Sequence, residues 1–90
     1  MKKVSMYTLS TCPWCRKTKN FFKERNMPFE FVDYDLADEP TQERIAGEMM
    51  RYTDHIAFPF VRIGNDVVIG YNPEKYEQLI GLLSEARGPS

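Results

Sequence analysis

The sequence predicts an α/β domain in which helices flank a mixed four-stranded sheet, with the element order βαβαββα. Three observations lead to this fold class. A strand-like segment, an amphipathic helical segment and a second strand-like segment follow one another, which is the pattern of a parallel βαβ unit. Two short apolar runs around Gly64, Asn65 and Asp66 predict an antiparallel hairpin. A helical apolar stripe follows the hairpin and predicts a closing helix.

The first strand and the first helix are expected to be separated by a short loop. Residues 2–9 alternate, with Val4, Met6 and Thr8 on one face. Pro13 suits the first turn of a helix, because the N–H that proline lacks has no partner there. Cys12 is therefore expected at the N-terminus of this helix, which should end near residues 26–28. The predicted inner stripe of the helix is Cys15, Thr18, Phe21, Phe22 and Arg25.

The second strand and the second helix follow in the same way. Residues 28–36 are rich in aromatic and β-branched side chains and predict a strand parallel to the first. The second helix is expected to begin at Asp38 or Glu39 and to run to about Met50, with Gly47 weakening its middle. Its predicted core residues are Ile45, Met49 and Tyr52.

The last helix is expected to follow the hairpin. Asn72 can cap it and Pro73 can occupy its first turn. Its predicted apolar stripe is Tyr76, Leu79, Ile80 and Leu83, and residues 87–90 are expected to form a short tail. Ninety residues suffice for one hydrophobic core but not for two, so residues 1–90 are expected to form a single domain.

The composition is typical of an ordinary globular protein. Hydrophobic residues make up 42% of the chain, and the formal net charge is -1. A chain without net positive charge is not expected to bind nucleic acid or an anionic membrane surface. The sequence begins with no signal-like apolar region and contains no run long enough to span a membrane. We therefore expect a cytoplasmic protein, and a monomer.

The chain has two cysteines, Cys12 and Cys15, and a pair at this spacing can form a structural disulfide, bind a metal or act in redox chemistry. A structural disulfide across so short a loop would remove little entropy from the unfolded chain. A mononuclear zinc site needs four ligands, but the chain offers only His55 and carboxylates besides this pair. Two chains could still pool cysteines or external thiols around a zinc or iron–sulfur centre, and a dimer that binds an iron–sulfur cluster is the alternative hypothesis.

A redox-active pair explains more of the surrounding sequence. The helix N-terminus and the neighbouring positive charges of Arg16, Lys17 and Lys19 favour a thiolate at Cys12. Cys15 lies one turn later on the inner face of the helix. The sequence therefore predicts that Cys12 attacks a substrate disulfide and that Cys15 resolves the mixed disulfide. His55, the one histidine of the sequence, could act as a base but is expected to be a surface or structural residue.

The chain resembles the glutaredoxin family over about residues 3–85. The resemblance rests on "TCPWC" at a helix start, "FPF" before the hairpin and "IGYNPEKYEQL" leading into the last helix. It implies a thioredoxin-like fold and dithiol oxidoreductase activity without a bound cofactor or metal. Pro59 would be a cis-proline beside the cysteines, preceded by Phe58, whose backbone would bind the substrate. Pro13 and Trp14 would support the site, with Trp14 exposed and in contact with the substrate.

Glutathione recognition is where the sequence departs from the family pattern. The lysine that usually precedes the first cysteine by three residues is Leu9, and the usual Gly-Gly is Gly70-Tyr71. The helix end at Asn72 remains available for a γ-glutamyl carboxylate. By resemblance, the substrates are disulfide-bearing proteins or glutathione mixed disulfides. The implied electron donor is either glutathione, as a co-substrate, or an enzyme of the thioredoxin-reductase type.

Overall fold

The computed structural model describes residues 3–87, with side chains described up to residue 81. The strands are β1 (Val4–Thr8), β2 (Glu30–Asp33), β3 (Phe60–Ile63) and β4 (Asp66–Ile69). The helices are α1 (Pro13–Glu24), α2 (Glu39–Met49) and α3 (Pro73–Arg87), with one 3₁₀ turn at Tyr34–Leu36. This arrangement confirms the predicted order βαβαββα.

The sheet is mixed, with strand order β2-β1-β3-β4. β1 is parallel to β2 and places Thr8 opposite Asp33, whereas β3 is antiparallel to both β1 and β4. Because β1 and β2 are parallel, their C-terminal ends lie at the same edge of the sheet. The loop that carries Cys12 and the 3₁₀ turn therefore leave the sheet side by side.

The two faces of the sheet are covered by different helices. Alternate residues of β1 are buried, as predicted. On one face, residues of α1 and α3 such as Phe22 and Tyr76 pack against Met6 and Val61. On the other face, Ile45 and Met49 of α2 pack against Phe60. The sheet therefore separates α2 from the helix that carries the cysteines.

The predicted second strand was too long. It ends at Asp33, and the chain turns into the 3₁₀ helix at Tyr34–Leu36. Local polar side chains favour this turn: the Gln42 amide donates to the Tyr34 carbonyl at 2.8 Å, and the Asp35 carboxylate accepts two hydrogen bonds from Ser10. Such side-chain hydrogen bonds compete with continued strand pairing.

Two core predictions near helix ends were also wrong. Tyr52 lies beyond the end of α2 and is 51% exposed, with its ring 5.8 Å from that of Phe60. Arg25 is the C-cap of α1 rather than part of its inner stripe, and its guanidinium lies 3.7 Å above the Phe21 ring. The helix stops there because Asn26 adopts a left-handed conformation, with φ 56°.

The predicted hairpin and the predicted start of the last helix are confirmed. Gly64, with φ 63°, lies in the turn between β3 and β4, and Asn72 caps α3. Among the described residues, no helix is long and apolar enough to cross a membrane. The side chain of Leu83 and the tail residues 88–90 lie outside the described part of the chain.

Candidate active site

Cys12 lies at the N-cap of α1, as predicted, and Pro13 is the first residue of the helix. The backbone N–H of Cys15 donates to the Cys12 sulfur at 3.3 Å. Free N–H groups and the helix dipole favour negative charge at this position. The geometry therefore places a backbone donor against the Cys12 sulfur, in a hydrogen bond that is stronger when the acceptor is charged.

Cys15 occupies a different environment from Cys12. Its side chain is completely buried, whereas Cys12 is partly exposed. Burial raises the pKa of the Cys15 thiol to about 12, the Leu9 N–H at 3.5 Å from its sulfur acts in the opposite direction, and Cys12 raises it further. At neutral pH Cys15 therefore stays protonated and inaccessible. Cys12 is thus the more accessible cysteine of the pair.

The loop before Cys12 is tied to the 3₁₀ turn. The Ser10 hydroxyl and the Ser10 N–H donate to the two oxygens of Asp35, at 2.5 and 2.9 Å. The hydrogen bond from the Ser10 hydroxyl contributes most, and that from the Ser10 N–H contributes next, to holding the pKa of the Asp35 carboxyl below its usual value. The sequence analysis did not identify this contact, because it joins residues 25 positions apart.

An aromatic pair lies beside the cysteines. Trp14 is 54% exposed, and its indole stacks on the Tyr71 ring with centroids 5.8 Å apart and an interplanar angle of 30°. The Lys17 ammonium lies 4.7 Å from the centre of the Trp14 ring. The structure thus brings together two predicted site residues that are 57 positions apart in the chain.

A series of hydrogen bonds connects α1 with the other predicted site residues. The Thr18 hydroxyl donates to the Trp14 carbonyl at 3.0 Å and lies 3.3 Å from the Tyr76 hydroxyl. The Tyr76 hydroxyl donates to the Gly70 carbonyl at 2.7 Å, and the Gly70 N–H donates to the Pro59 carbonyl at 2.8 Å. Sequence reasoning assigned Thr18 and Tyr76 only to the core. Their hydroxyls, which need partners when buried, were the available signal.

The Phe58–Pro59 peptide bond is cis, which confirms that prediction, and Pro59 is fully buried. Phe58 is partly buried, with its ring 5.3 Å from that of Tyr34. Phe58 and Pro59 thus lie directly before β3, and Gly70, Tyr71 and Asn72 lie directly after β4. Because β3 and β4 form a hairpin, all five residues are at the same end of the sheet.

The N-terminus of α3 has few donors left for a ligand. Pro73 has no N–H, and the Lys75 N–H donates to the side-chain oxygen of Asn72 at 3.1 Å. Glu74 adds an acidic group to the first turn. Asn72 therefore caps the helix that was expected to receive a γ-glutamyl carboxylate, and this reduces the capacity of that helix end for an anion.

Two other residues that the sequence singled out, Lys19 and His55, have partners away from the cysteines. The Lys19 ammonium pairs with Asp33 at 3.3 Å and lies 3.8 Å from the centre of the Phe31 ring. His55 is exposed, with Nδ1 2.8 Å from the Asp54 carboxylate. Within the described part of the chain, no group of three or more His, Cys, Asp or Glu residues could hold a metal ion.

Comparison with known protein families agrees with this geometry. The glutaredoxin family model matches residues 4–68, a segment that includes both cysteines and Pro59. The chain belongs to the glutaredoxin family. Glutaredoxins are thiol-disulfide oxidoreductases that act on disulfide substrates or glutathione. The matched segment ends before Gly70, so Tyr71 and Asn72 lie outside it.

Individual relatives support the same assignment. This glutaredoxin is 31% identical over 77 residues to an uncharacterised glutaredoxin-like 8.6 kDa protein in the rubredoxin operon of Clostridium pasteurianum, and the match covers 86% of this chain and 96% of that protein. It is similar to the structure of Methanosarcina acetivorans methanoredoxin, with 29% identity and a TM-score of 0.81, and the match covers 88% of this chain and 84% of that chain. It is also similar to the glutaredoxin from Archaeoglobus fulgidus, with 33% identity and a TM-score of 0.79, and that match covers 98% of this chain and 89% of the other. The fold is therefore thioredoxin-like.

Proposed function

We propose that this glutaredoxin reduces disulfides by a dithiol mechanism in which Cys12 attacks and Cys15 resolves. The observation that carries the proposal is the asymmetry of the pair. Cys12 is partly exposed and accepts a helix N–H, whereas Cys15 is buried and its pKa is raised to about 12. A thiolate is the nucleophile in disulfide exchange, so the accessible and stabilised sulfur reacts first.

The proposed reaction has two exchange steps. The Cys12 thiolate forms a bond to one substrate sulfur, the substrate S–S bond breaks, and the other substrate sulfur leaves as a thiolate. Cys15 then loses its proton to that thiolate or to solvent and attacks the Cys12 sulfur. The second substrate thiolate leaves, and the Cys12–Cys15 disulfide holds the two oxidising equivalents. This mechanism uses no bound cofactor.

We favour protein disulfides over glutathione mixed disulfides as the substrates. Tyr71 replaces a glycine of the family pattern, and its ring covers part of Trp14. The cap at Asn72 and the acidic Glu74 also disfavour binding of the glutathione carboxylates at α3. An exposed indole beside Cys12 instead offers apolar contact area to a protein substrate.

We propose that an enzyme of the thioredoxin-reductase type restores the reduced dithiol, in place of glutathione. The same substitutions that disfavour a glutathione mixed disulfide also disfavour glutathione as the reductant, because reduction by glutathione passes through that mixed disulfide. The protein would then act as a monomeric electron carrier in the cytoplasm and contribute to redox homeostasis there.

Trapping experiments test the roles of the cysteines. Cys15→Ser should accumulate a stable mixed disulfide between Cys12 and an oxidised protein substrate, visible by mass spectrometry, and Cys12→Ser should not. Trapping by Cys12→Ser alone would reverse the two roles.

A turnover assay identifies the electron donor. Consumption of NADPH during disulfide reduction is measured with thioredoxin reductase and, separately, with glutathione plus glutathione reductase. A brown protein whose visible absorption fades in air would instead indicate the iron–sulfur dimer.

A further inference from the structure

A basic cleft lies between α2 and β3, on the face of the sheet opposite α1. It has a volume of about 360 Å³ and is lined by Arg44, Gly47, Glu48, Arg51 and Arg62. The lining thus contains three arginines and one glutamate, in a chain whose net charge is -1. None of these residues belongs to the dithiol mechanism, so the cleft calls for a separate explanation.

The single carboxylate of the cleft is already engaged. The Tyr7 hydroxyl donates to one Glu48 oxygen at 2.7 Å, and the Arg62 guanidinium donates to the other. Burial first, and then the bond to Glu48, raise the pKa of Tyr7 to about 12, so Tyr7 remains a donor at neutral pH. Glu48 is consequently held toward the sheet and forms no ion pair with Arg44 or Arg51.

Arg44 in α2 and Arg51 in the turn after α2 have no such partner. Arg44 lies four residues before Glu48, at a spacing that commonly forms helix ion pairs, and Arg51 lies three residues after Glu48, beyond the end of the helix. Within residues 3–81, neither guanidinium has a hydrogen bond or ion pair. Both side chains are exposed at the mouth of the cleft. Their donors are available to an external anion.

Gly47 completes the cleft, and the fold does not require a glycine there. A Cβ at Gly47 would meet no other atom within 4 Å, and its backbone does not have the positive φ found at Gly64 and Gly70. A glycine in the middle of a helix is destabilising relative to alanine. Its effect at this position is to leave this part of the cleft wall without a side chain.

We propose that this cleft binds a phosphate group, either as free phosphate or as the terminal group of a small metabolite. Guanidinium groups recognise phosphate through paired, charge-assisted N–H···O hydrogen bonds. Arg44 supplies such donors from α2, Arg51 supplies them from the turn after α2, and Arg62, which uses one donor on Glu48, supplies others from the sheet. The space above Gly47 lets the anion reach all three.

An NMR titration of the full chain tests the proposal. Inorganic phosphate is added to the ¹⁵N-labelled protein at pH 7.5, with chloride adjusted to keep the ionic strength constant. We expect saturable shifts of the amides of residues 44–51 and 62, and at least a fivefold weaker Kd for Arg44→Gln and for Arg51→Gln. Lys23→Gln, which removes a positive charge from α1, should leave the Kd unchanged.

Two further measurements show whether a loss of phosphate binding arises from unfolding or from damage to the redox site. Gly47→Glu should abolish the shifts while the melting temperature is maintained, because glutamate is a better helix former than glycine. Disulfide reduction should be unaffected in all these variants. Titration with ribose 5-phosphate then distinguishes the two sources of phosphate. If the ligand is a phosphate ester, ribose 5-phosphate should bind more tightly than inorganic phosphate. If the ligand is free phosphate, inorganic phosphate should bind at least as tightly as ribose 5-phosphate. Shifts that do not saturate, or that chloride reproduces, would overturn the proposal.

Discussion

The indole ring of Trp14 stacks on the phenol ring of Tyr71, with ring centroids 5.8 Å apart. Trp14 is part of the motif that holds the two cysteines, whereas Tyr71 follows β4 and precedes α3. The contact places an aromatic ring against Trp14, two residues after Cys12, at a position where the family pattern has glycine. Our proposal that protein disulfides are favoured over glutathione mixed disulfides rests on this pair.

Tyr71→Gly is expected to increase turnover of a glutathione mixed disulfide. Removal of the ring opens the space beside Trp14, and a gain in kcat/KM on the order of tenfold corresponds to about 1.4 kcal/mol of transition-state binding. The activity is measured with glutathione and glutathione reductase. Tyr71→Phe, which keeps the stacked ring, serves as the control and should behave like the unmodified protein. Equal activity of the Gly and Phe variants would show that the ring does not govern specificity.

Cys12 is expected to be alkylated much faster than Cys15 in the folded, reduced protein. Cys15 has no exposed surface and its pKa is raised to about 12, so it is both inaccessible and protonated at pH 7.5. Brief treatment with iodoacetamide followed by peptide mass spectrometry measures the labelling of each cysteine. In denaturant the two should react at similar rates. Preferential labelling of Cys15 in the folded protein would contradict the proposed roles.

The stability of the reduced protein is expected to fall above about pH 8.5, in part because of Cys15. The unfolded thiol ionises near pH 8.5, whereas the folded thiol holds its proton up to about pH 12, so the unfolded state binds fewer protons between these values. The loss attributable to this group is about 2 kcal/mol at pH 10.

Urea unfolding at pH 7 and pH 10 measures the part of this effect that burial causes in Cys12→Ser, which lacks the contributions of Cys12 and cannot form the internal disulfide. The matched variant carries Cys15→Ala in addition. It should lose less stability than Cys12→Ser between the two pH values. Identical pH dependence in the two variants would mean that burial of Cys15 does not bias its ionisation.

Gly47→Ala is expected to stabilise the protein. The added Cβ meets no atom within 4 Å, and alanine is favoured over glycine inside a helix by about 1 kcal/mol. For a domain of this size that corresponds to an increase in Tm of about 4–8 °C. The control, Gly64→Ala, should have the opposite effect, because Gly64 has φ 63° in the hairpin turn. A lower Tm for Gly47→Ala would reveal a role for this glycine within the fold.

Tyr76→Phe is expected to lower the free energy of unfolding by about 1–3 kcal/mol, the usual cost of leaving a buried polar group without its partner. The lost hydroxyl donates to the Gly70 carbonyl and lies 3.3 Å from the Thr18 hydroxyl. Urea denaturation of this variant, of Thr18→Val and of the double variant gives the coupling between the two side chains. Strictly additive losses would show that the two hydroxyls act independently.

The parts of the fold that the sequence predicted correctly are those governed by local patterns. Alternation in β1, Pro13 at the start of α1 and Asn72 at the start of α3 each depend on residues within a few positions. The predicted end of β2 was wrong because the hydrogen bonds that favour the turn come from Ser10 and Gln42, which lie elsewhere in the chain. The predicted burial of Tyr52 was wrong because a helical stripe does not show where its helix ends.

The sequence by itself determined the reactive motif. A helix N-terminus, a proline and two cysteines in one turn already establish which sulfur can accept a backbone N–H, because these groups are covalently close. Only the tertiary structure decided the surroundings. The stacking of Tyr71 on Trp14, the complete burial of Cys15 and the engagement of Glu48 by Tyr7 and Arg62 join residues from separate elements. Such contacts depend on how the helices pack on the sheet, which no local pattern specifies.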